Sequence, residues 1–211
     1  LLGREAEYLQ QCIETTFVSS VGPFVDRFEA EIARLSGTET ALVLCTGTTA
    51  LHMALAGLGI GAGDMVIIPT LTFIATSNAV RHSGAEVWLM DVAETTWTLD
   101  LDQLRRALET ETDPAPEGRL HRASGLRVRA IMPVMVMGAS LDFAAIVALA
   151  RDFGLRVVVD AAAAIGTTGA GGQPIAATGV DAVCYSFNGN KTVTCGGGGA
   201  IAAPDAALLR K

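Results

Sequence analysis

Short runs of β-branched and aliphatic residues alternate along this chain with longer segments of helical periodicity, and this alternation restricts the fold more than any other feature. Seven runs are predicted strands, at residues 41–44, 66–68, 87–90, 129–132, 156–159, 182–186 and 199–203. Five helices are predicted near residues 23–36, 48–58, 72–83, 100–109 and 141–153. This order is typical of a mainly parallel sheet covered by helices. The sequence therefore predicts one α/β domain.

Residues 110–127 interrupt the alternation. They contain prolines, glycines and most of the local charge without a clear period. Such segments are typical of loops. We expect an exposed loop there, inserted before the strand at residue 129.

Charge and hydropathy exclude several classes of protein. The 211 residues include 15 Lys and Arg against 22 Asp and Glu, which gives a net charge of −7. An acidic surface repels phosphate backbones, so we expect no nucleic-acid partner. Because no run approaches the roughly 20 apolar residues of a membrane span, and no signal-peptide pattern opens the chain, we expect a cytoplasmic protein without a membrane segment.

The cysteines and histidines do not suggest a metal site. The four cysteines are widely scattered and form no CxxC pair, and the three histidines are isolated from other potential ligands. We expect reduced, structural cysteines and no bound metal. These residues are Cys12, Cys45, Cys184, Cys195, His52, His82 and His121.

Ligands of open α/β sheets bind beyond the carboxyl ends of the strands, so the polar residues after each strand are the candidate site. Residues Thr46, Gly47, Thr48 and Thr49 follow the first strand and open a helix. A helix N-terminus with small hydroxyl residues can bind a phosphate. An ordinary N-cap is the alternative interpretation, because threonine is common there.

Two titratable residues also follow strands. Asp160 ends the strand at 156–159 and precedes four alanines, so it either caps the next helix or accepts a hydrogen bond from a protonated ligand nitrogen. Lys191 lies in the segment SFNGNKT among small neutral residues. Such a lysine is either a solvated surface residue or, when a ligand covers it, an amine nucleophile.

Two further features complete the candidate site. Phe73 follows the strand at 66–68 and can stack on a planar ring, or it can be an ordinary core residue. The glycine run 196–199 lets backbone segments approach closely, but it is not a P-loop because no GK[ST] ends it.

Phosphate-binding hydroxyls, an aromatic ring, a strand-end Asp and a loop lysine follow one another in the order that a pyridoxal phosphate enzyme needs. The sequence resembles the DegT/DnrJ/EryC1/StrS family of nucleotide-sugar aminotransferases over nearly its whole length. The matching stretches are VGPFVDRFE (21–29), GTTALHMAL (47–55), GDMVIIPTLTFIATSNAV (63–80), GAEVWLMDV (84–92), VVVDAAAAIGT (157–167) and SFNGNKTVTCGGGGAI (186–201). The segments FVSSVGPFVDRFE and SFNGNKT are similar to those of the branch that makes 4-amino sugars for legionaminic acid and related nonulosonic acids.

The resemblance implies an aspartate-aminotransferase-like (fold type I) large domain with a seven-stranded sheet and helices on both faces. Residues 1–211 would be this pyridoxal-phosphate-binding domain with its N-terminal helical segment, and the C-terminal small domain of the family would be absent. It implies a homodimer whose active site lies at the subunit boundary. The activity implied is transfer of an amino group from glutamate to a nucleotide-linked 4-keto-6-deoxy sugar, in the synthesis of surface polysaccharides.

The resemblance also implies roles for individual residues. Lys191 would form the Schiff base with pyridoxal 5′-phosphate and carry the proton, and Asp160 would pair with the pyridinium nitrogen. Phe73 would stack on the ring. Gly47, Thr48, Thr49 and Ser186 would form the phosphate site.

Two positions depart from the family pattern. Many relatives have Gln or Glu where this chain has Ala163, and many have His where it has Met135. These departures favour, as an alternative, a catalytically impaired member that acts as a binding or assembly partner. A third possibility, an unrelated nucleotide-binding α/β domain, requires the multiple motif matches to be coincidental.

Overall fold

Nine strands form one sheet in the computed structural model, which describes residues 3–210. The strands are β1 (Ala41–Leu44), β2 (Asp64–Pro69), β3 (Glu86–Met90), β4 (Thr112–Ala115), β5 (Gly118–His121), β6 (Arg127–Ile131), β7 (Arg156–Asp160), β8 (Ala182–Ser186) and β9 (Gly199–Ala202). The α-helices are α1 (Glu5–Glu14), α2 (Pro23–Ser36), α3 (Gly47–Gly57), α4 (Ile74–His82), α5 (Leu101–Glu111) and α6 (Phe143–Asp152). All seven predicted strands and all five predicted helices are present. The prediction of a seven-stranded sheet is wrong, because β4 and β5 add two strands, and α1 lies in the N-terminal segment that the resemblance implied to be helical.

The main path of the sheet runs β1-β9-β8-β7-β6-β2-β3. The pairs β8–β7, β7–β6, β6–β2 and β2–β3 are parallel, whereas β9 is antiparallel to both β8 and β1. This confirms the prediction of a mainly parallel sheet. Because β9 runs in the opposite direction, its N-terminal end lies at the same sheet edge as the carboxyl ends of its neighbours.

Helices cover both faces of the sheet. On one face α2, α5 and α6 bury residues such as Ile32, Leu104 and Ile146, and on the other α3 and α4 bury residues such as Leu55 and Val80. Successive strand residues contribute to opposite layers, as the two-residue period of a strand requires. The central strands are buried on both faces and therefore consist of continuous apolar runs.

Capping residues account for where the helices begin. Thr46, Asp100 and Asp142 accept hydrogen bonds from the N–H groups of the residues three positions later, at 2.9–3.0 Å. Helix α2 begins with Pro23 and ends before Gly37, which adopts φ 69°. No helix among residues 3–210 has the length and apolar character that crossing a membrane requires.

The prediction of a loop at residues 110–127 is wrong. The segment forms the β4–β5 hairpin, and β5 pairs antiparallel with β6. Polar contacts rather than an apolar face support the hairpin: Arg122 lies 2.8 Å from Asp113, and Arg119 Nε donates to Thr112 Oγ1 at 2.9 Å. Because these contacts leave no alternation of apolar and polar residues, the periodicity of the sequence did not indicate strands.

Candidate active site

One cavity of about 380 Å³ lies at the carboxyl edge of the sheet, and it collects the residues that follow five different strands. A volume of this size is within the range of small-molecule and cofactor sites. Its lining comprises Thr46, Gly47, Thr48, Leu51, Leu71, Thr72, Phe73, Ala75, Val134, Met135, Val136, Met137, Asp160, Ala162, Ala163, Ser186, Asn188, Asn190, Lys191, Gly197 and Gly198. Six of the seven predicted site residues are in this set, and Thr49 is not.

The N-terminus of α3 forms one wall. The first N–H groups of a helix have no acceptor within the helix, and the Thr46 side chain accepts only the N–H of Thr49, at 3.0 Å. The N–H groups of Gly47 and Thr48 are therefore the ones available to a ligand. A Cβ at residue 47 would lie 2.7 Å from Ser186 Cβ, so glycine allows the helix to approach the end of β8 closely.

Thr49 contacts the residues that cap this helix. Its hydroxyl is 2.9 Å from Thr46 Oγ1 and 3.5 Å from Cys45 Sγ. It therefore supports the cap instead of facing the cavity. Adjacent side chains of an α-helix point about 100° apart. Thr48 can therefore line the cavity while the neighbouring Thr49 does not.

Asp160 forms the floor of the cavity and is 5% exposed. Its carboxylate accepts two hydrogen bonds, one from Thr76 Oγ1 at 2.7 Å and one from the N–H of Ala162 at 3.1 Å. Burial raises the pKa of the Asp160 carboxyl, while these two hydrogen bonds and the positive charge of Lys191 oppose the rise. A buried carboxylate with neutral hydrogen-bond partners favours a cationic ligand group.

Lys191 lies in the turn after β8, where its N–H donates to the carbonyl of Asn188 at 2.9 Å. Its side chain lines the cavity that also contains Asp160. The chain has two lysines, Lys191 and Lys211, and 13 arginines. Because nearly all other basic residues of the chain are arginines, a lysine in the cavity is unusual for this protein.

Phe73 immediately precedes α4, and its side chain is 74% exposed at the cavity wall. It is therefore not a core residue, although a core position was one of the two interpretations of the sequence. An exposed aromatic ring beside a cavity provides a face on which a planar ring can stack.

The two positions that depart from the family pattern both line the cavity. Met135 is buried beside the end of β7, where its N–H donates to the carbonyl of Asp160 at 3.0 Å. Ala163 lies three residues beyond Asp160. Both side chains are apolar, so this wall supplies no side-chain hydrogen bond to a ligand.

Sequence reasoning placed Thr72 in the candidate segment 69–73 without giving it a role, and it missed Thr76, whose hydroxyl contacts Asp160. Thr72 lines the cavity, and Thr76 is fully buried on α4. A signal was present, because Thr76 shares the inner face of α4 with Ala79 and Val80 at helical spacing. A hydroxyl on an otherwise apolar helix face needs a partner inside the protein.

Gly199 packs closely against the N-terminus of α3, where we expect a phosphate to bind. A Cβ at residue 199 would lie 2.3 Å from the carbonyl oxygen of Thr46 and 2.7 Å from the N of Gly47. We expect Gly199→Ala to destabilise the full chain by about 1–3 kcal/mol, the usual cost of overpacking, and to weaken phosphate binding. Differential scanning fluorimetry should show a fall in Tm of about 2–4 °C per kcal/mol.

Gly189→Ala is the matched control, because a Cβ there would have its nearest neighbour, the carbonyl oxygen of Gly196, at 3.9 Å. Its Tm should change by less than about 1 °C, since surface substitutions of this kind cost little. Equal Tm values for the two variants would contradict the packing argument.

The fold, with a cavity at the carboxyl edge of its sheet, is that of the large domain of the pyridoxal-phosphate-dependent aminotransferases. Comparison with known proteins gives the family: the model of the DegT/DnrJ/EryC1/StrS aminotransferase family matches residues 2–211. The chain belongs to that family.

Curated relatives include a GDP-perosamine synthase of Caulobacter vibrioides, 39% identical over 209 residues, which are 99% of this chain and 52% of the relative. Another is a UDP-N-acetyl-3-dehydro-alpha-D-glucosamine 3-aminotransferase of Acidithiobacillus ferrooxidans, 38% identical over 87% of this chain and 45% of the relative. The chain thus spans about half the length of these relatives.

Solved structures share the fold. DesV of S. venezuelae, crystallised with a ketimine intermediate, matches with a TM-score of 0.82 at 32% identity over 98% of this chain and 52% of its own. NtdA of Bacillus subtilis with bound cofactor PMP matches with a TM-score of 0.81 at 28% identity. The match covers 99% of this chain and 43% of NtdA. The prediction of an aspartate-aminotransferase-like large domain is confirmed.

Proposed function

We propose that the protein transfers an amino group from glutamate to a nucleotide-linked 4-keto-6-deoxy sugar, with pyridoxal 5′-phosphate bound at Lys191. The observation that carries the proposal is that Lys191, the buried carboxylate of Asp160 and the N-terminus of α3 line one cavity. Together they provide an amine, an acceptor for a protonated ring nitrogen and a phosphate site.

The binding roles follow from the geometry. The N–H groups of Gly47 and Thr48 and the hydroxyls of Thr48 and Ser186 would hold the phosphate, with Thr49 supporting the turn through Thr46. Phe73 would cover one face of the ring. The close approach of Gly47 to Ser186 fits this role, because any larger residue would close the phosphate site.

The chemical roles fall to two residues. Pyridoxal phosphate supplies an electron sink, which stabilises negative charge at the carbon that exchanges its amino group. Asp160 would accept a hydrogen bond from the ring nitrogen and keep it protonated. Lys191 would hold the cofactor through its Nζ and, once released, take and return the proton.

The sugar substrate is supported by the relatives and by the cavity mouth. The names of the two curated relatives refer to a GDP-linked and a UDP-linked sugar, and the second contains a keto group. Leu71 and Met137 are exposed apolar residues that line the cavity together with Phe73. They suit a deoxygenated face of a sugar. The legionaminic-acid branch remains a prediction from the wording of the motifs.

The homodimer and the cytoplasmic location also belong to the proposal. Exposed apolar side chains on and after α1, at Leu9, Ile13, Phe17, Val18 and Val21, form a surface that a second subunit could cover. The four cysteines are free thiols, as is usual in a reducing compartment.

Borohydride reduction of the cofactor-loaded full chain tests the proposal. Peptide mapping should place the reduced cofactor on Lys191 and leave Lys211 unlabelled. Glutamate added before reduction should abolish labelling, because the cofactor then leaves the lysine. If the folded protein is never labelled, the cofactor assignment is wrong. If it is labelled to the same extent whichever amino donor is added before reduction, the alternative of a binding or assembly protein replaces the proposed activity.

A further inference from the structure

A buried hydroxyl on α4 fixes the carboxylate at the floor of the cavity. Thr76 is 0% exposed, and its Oγ1 donates to Asp160 Oδ2 at 2.7 Å. The other oxygen, Oδ1, accepts the N–H of Ala162. The carboxylate is therefore held by donors from two different elements, one 84 residues away in the chain and one on its own loop.

The direction of these hydrogen bonds can be deduced. An ionised carboxylate only accepts, so the single proton of the Thr76 hydroxyl is committed to Asp160. Thr76 Oγ1 also lies 2.7 Å from Thr72 Oγ1. Thr72 is then the donor in that contact, which is shorter than the 3.3 Å between its hydroxyl and the carbonyl oxygen of Phe73. The result is a directed chain from Thr72, which lines the cavity, through Thr76 to Asp160.

We propose that Thr76 is a positioning residue that orients the Asp160 carboxylate and keeps it ionised, with Thr72 as the second link of the chain. The proposal rests on the proposed function in one respect, namely that Asp160 is the partner of the cofactor's ring nitrogen. Because the proton of Thr72 is committed to Thr76, its oxygen presents only lone pairs to the cavity. A ligand atom that contacts Thr72 there is consequently a hydrogen-bond donor.

The surroundings of Asp160 make the Thr76 hydroxyl important for the ionisation of the carboxyl group. The titratable groups that face the carboxylate are Lys191 across the cavity and Cys184 on β8. Burial raises the pKa of the Cys184 thiol well above its usual range, so it stays neutral. Burial also favours the protonated form of Asp160, and among the influences that oppose it the hydrogen bond from Thr76 is the largest.

Replacing Thr76 by valine, which keeps the branched shape and removes the hydroxyl, tests the proposal in the cofactor-loaded full chain. Cofactor affinity is measured by equilibrium dialysis between about pH 5 and pH 8. We expect Thr76→Val to raise Kd about tenfold at neutral pH. The pH below which affinity is lost should rise by about one unit, since one unit corresponds to a factor of ten. Thr76→Ser, which restores the hydroxyl, should stay within about threefold of the parent protein and keep its pH profile.

Ser77→Ala is the matched control, because it removes a hydroxyl from the adjacent position of the same helix. It should leave both the Kd and the pH profile unchanged. A Thr76→Val variant whose Kd rises equally at every pH, or one that serine fails to rescue, would overturn the proposal, since loss of packing alone predicts that pattern.

A cofactor-free measurement separates this inference from the proposed function. Without cofactor, Thr76→Val should lower Tm by more at pH 8 than at pH 4, because the buried carboxylate loses its donor where it is ionised. The pH-dependent part of this difference should vanish in an Asp160→Asn background. If the pH-dependent Tm difference is observed but Lys191 is never labelled, Thr76 does act on Asp160 and the aminotransferase proposal is wrong. Absence of this Tm difference, whatever the labelling result, would refute the coupling between Thr76 and Asp160.

Discussion

Lys191→Ala is expected to reduce the glutamate half-reaction by at least about 10³-fold, because the variant loses both the amine that holds the cofactor and the group that moves the proton. The half-reaction is followed in single turnovers by the change in the cofactor's visible absorption. The phosphate site at Gly47 and Thr48 is untouched, so the variant should still bind the cofactor without a covalent bond.

Two further variants sharpen this test. Lys191→Arg keeps a positive charge near Asp160 but provides no amine of similar nucleophilicity. It should be as inactive as Lys191→Ala. Lys211→Ala removes the other lysine of the sequence and should retain full activity. If Lys191→Ala kept more than about a tenth of the parent rate, Lys191 would not be the catalytic base.

The fold could be predicted to the degree that apolar periodicity determines it. Strands β1 and β8 begin and end where the runs at 41–44 and 182–186 predicted, because both runs are mainly apolar and begin directly after a polar residue, Thr40 and Asp181 respectively. Helix α2 also has its predicted limits, set by Pro23 and Gly37. The β4–β5 hairpin was missed because ion pairs and backbone pairing, which have no period, hold it together.

The site could be predicted only where a residue type and its position after a strand were sufficient. Lys191 and Asp160 meet both conditions, and they line the same cavity. Thr76 meets neither, because its partner lies 84 residues away and only the fold brings the two together. Thr49 likewise could not be assigned from the sequence, because its position outside the cavity lining depends on its hydrogen bond to Thr46, the capping residue of α3.

Asp160→Asn is expected to slow the glutamate half-reaction by about 10²–10³-fold, the range seen when one electrostatic partner of a developing charge is removed. Asparagine has nearly the same shape and can still accept one hydrogen bond. Its amide group can donate to Thr76, whose hydroxyl is then free to donate to Thr72. The substitution therefore removes the negative charge without creating a cavity.

The same substitution should stabilise the protein when the cofactor is absent. Burial raises the pKa of Asp160 in the folded state above its unfolded value of about 3.9. Below that pH the carboxyl is protonated in both the folded and the unfolded state, so its burial does not lower the free energy of unfolding through ionisation. As the pH rises toward the folded pKa, the unfolded chain ionises first, and stability is lost. Asparagine does not titrate, so the Tm of cofactor-free Asp160→Asn should exceed that of the parent by a few degrees at pH 7–8, and the gain should disappear near pH 4.

Asp64→Asn provides a control with the opposite sign. Asp64 is 2% exposed, but its carboxylate pairs with Arg127 at 2.9 Å and accepts the N–H of Gly61 at 3.1 Å. Asp64→Asn removes the buried negative charge that faces Arg127 and the nearly buried Arg129, which lies 3.9 Å away. Loss of the partner of a buried charge destabilises a protein, so the substitution should lower Tm and leave the half-reaction unchanged. The contrast follows from structure: Asp64 forms an ion pair with Arg127, whereas Asp160 forms no ion pair among residues 3–210 and feels only the more distant charge of Lys191. If Asp160→Asn lowered the cofactor-free Tm as Asp64→Asn does, the Asp160 carboxylate would stabilise the fold. It would then not be a group that lowers stability in order to bind a ligand.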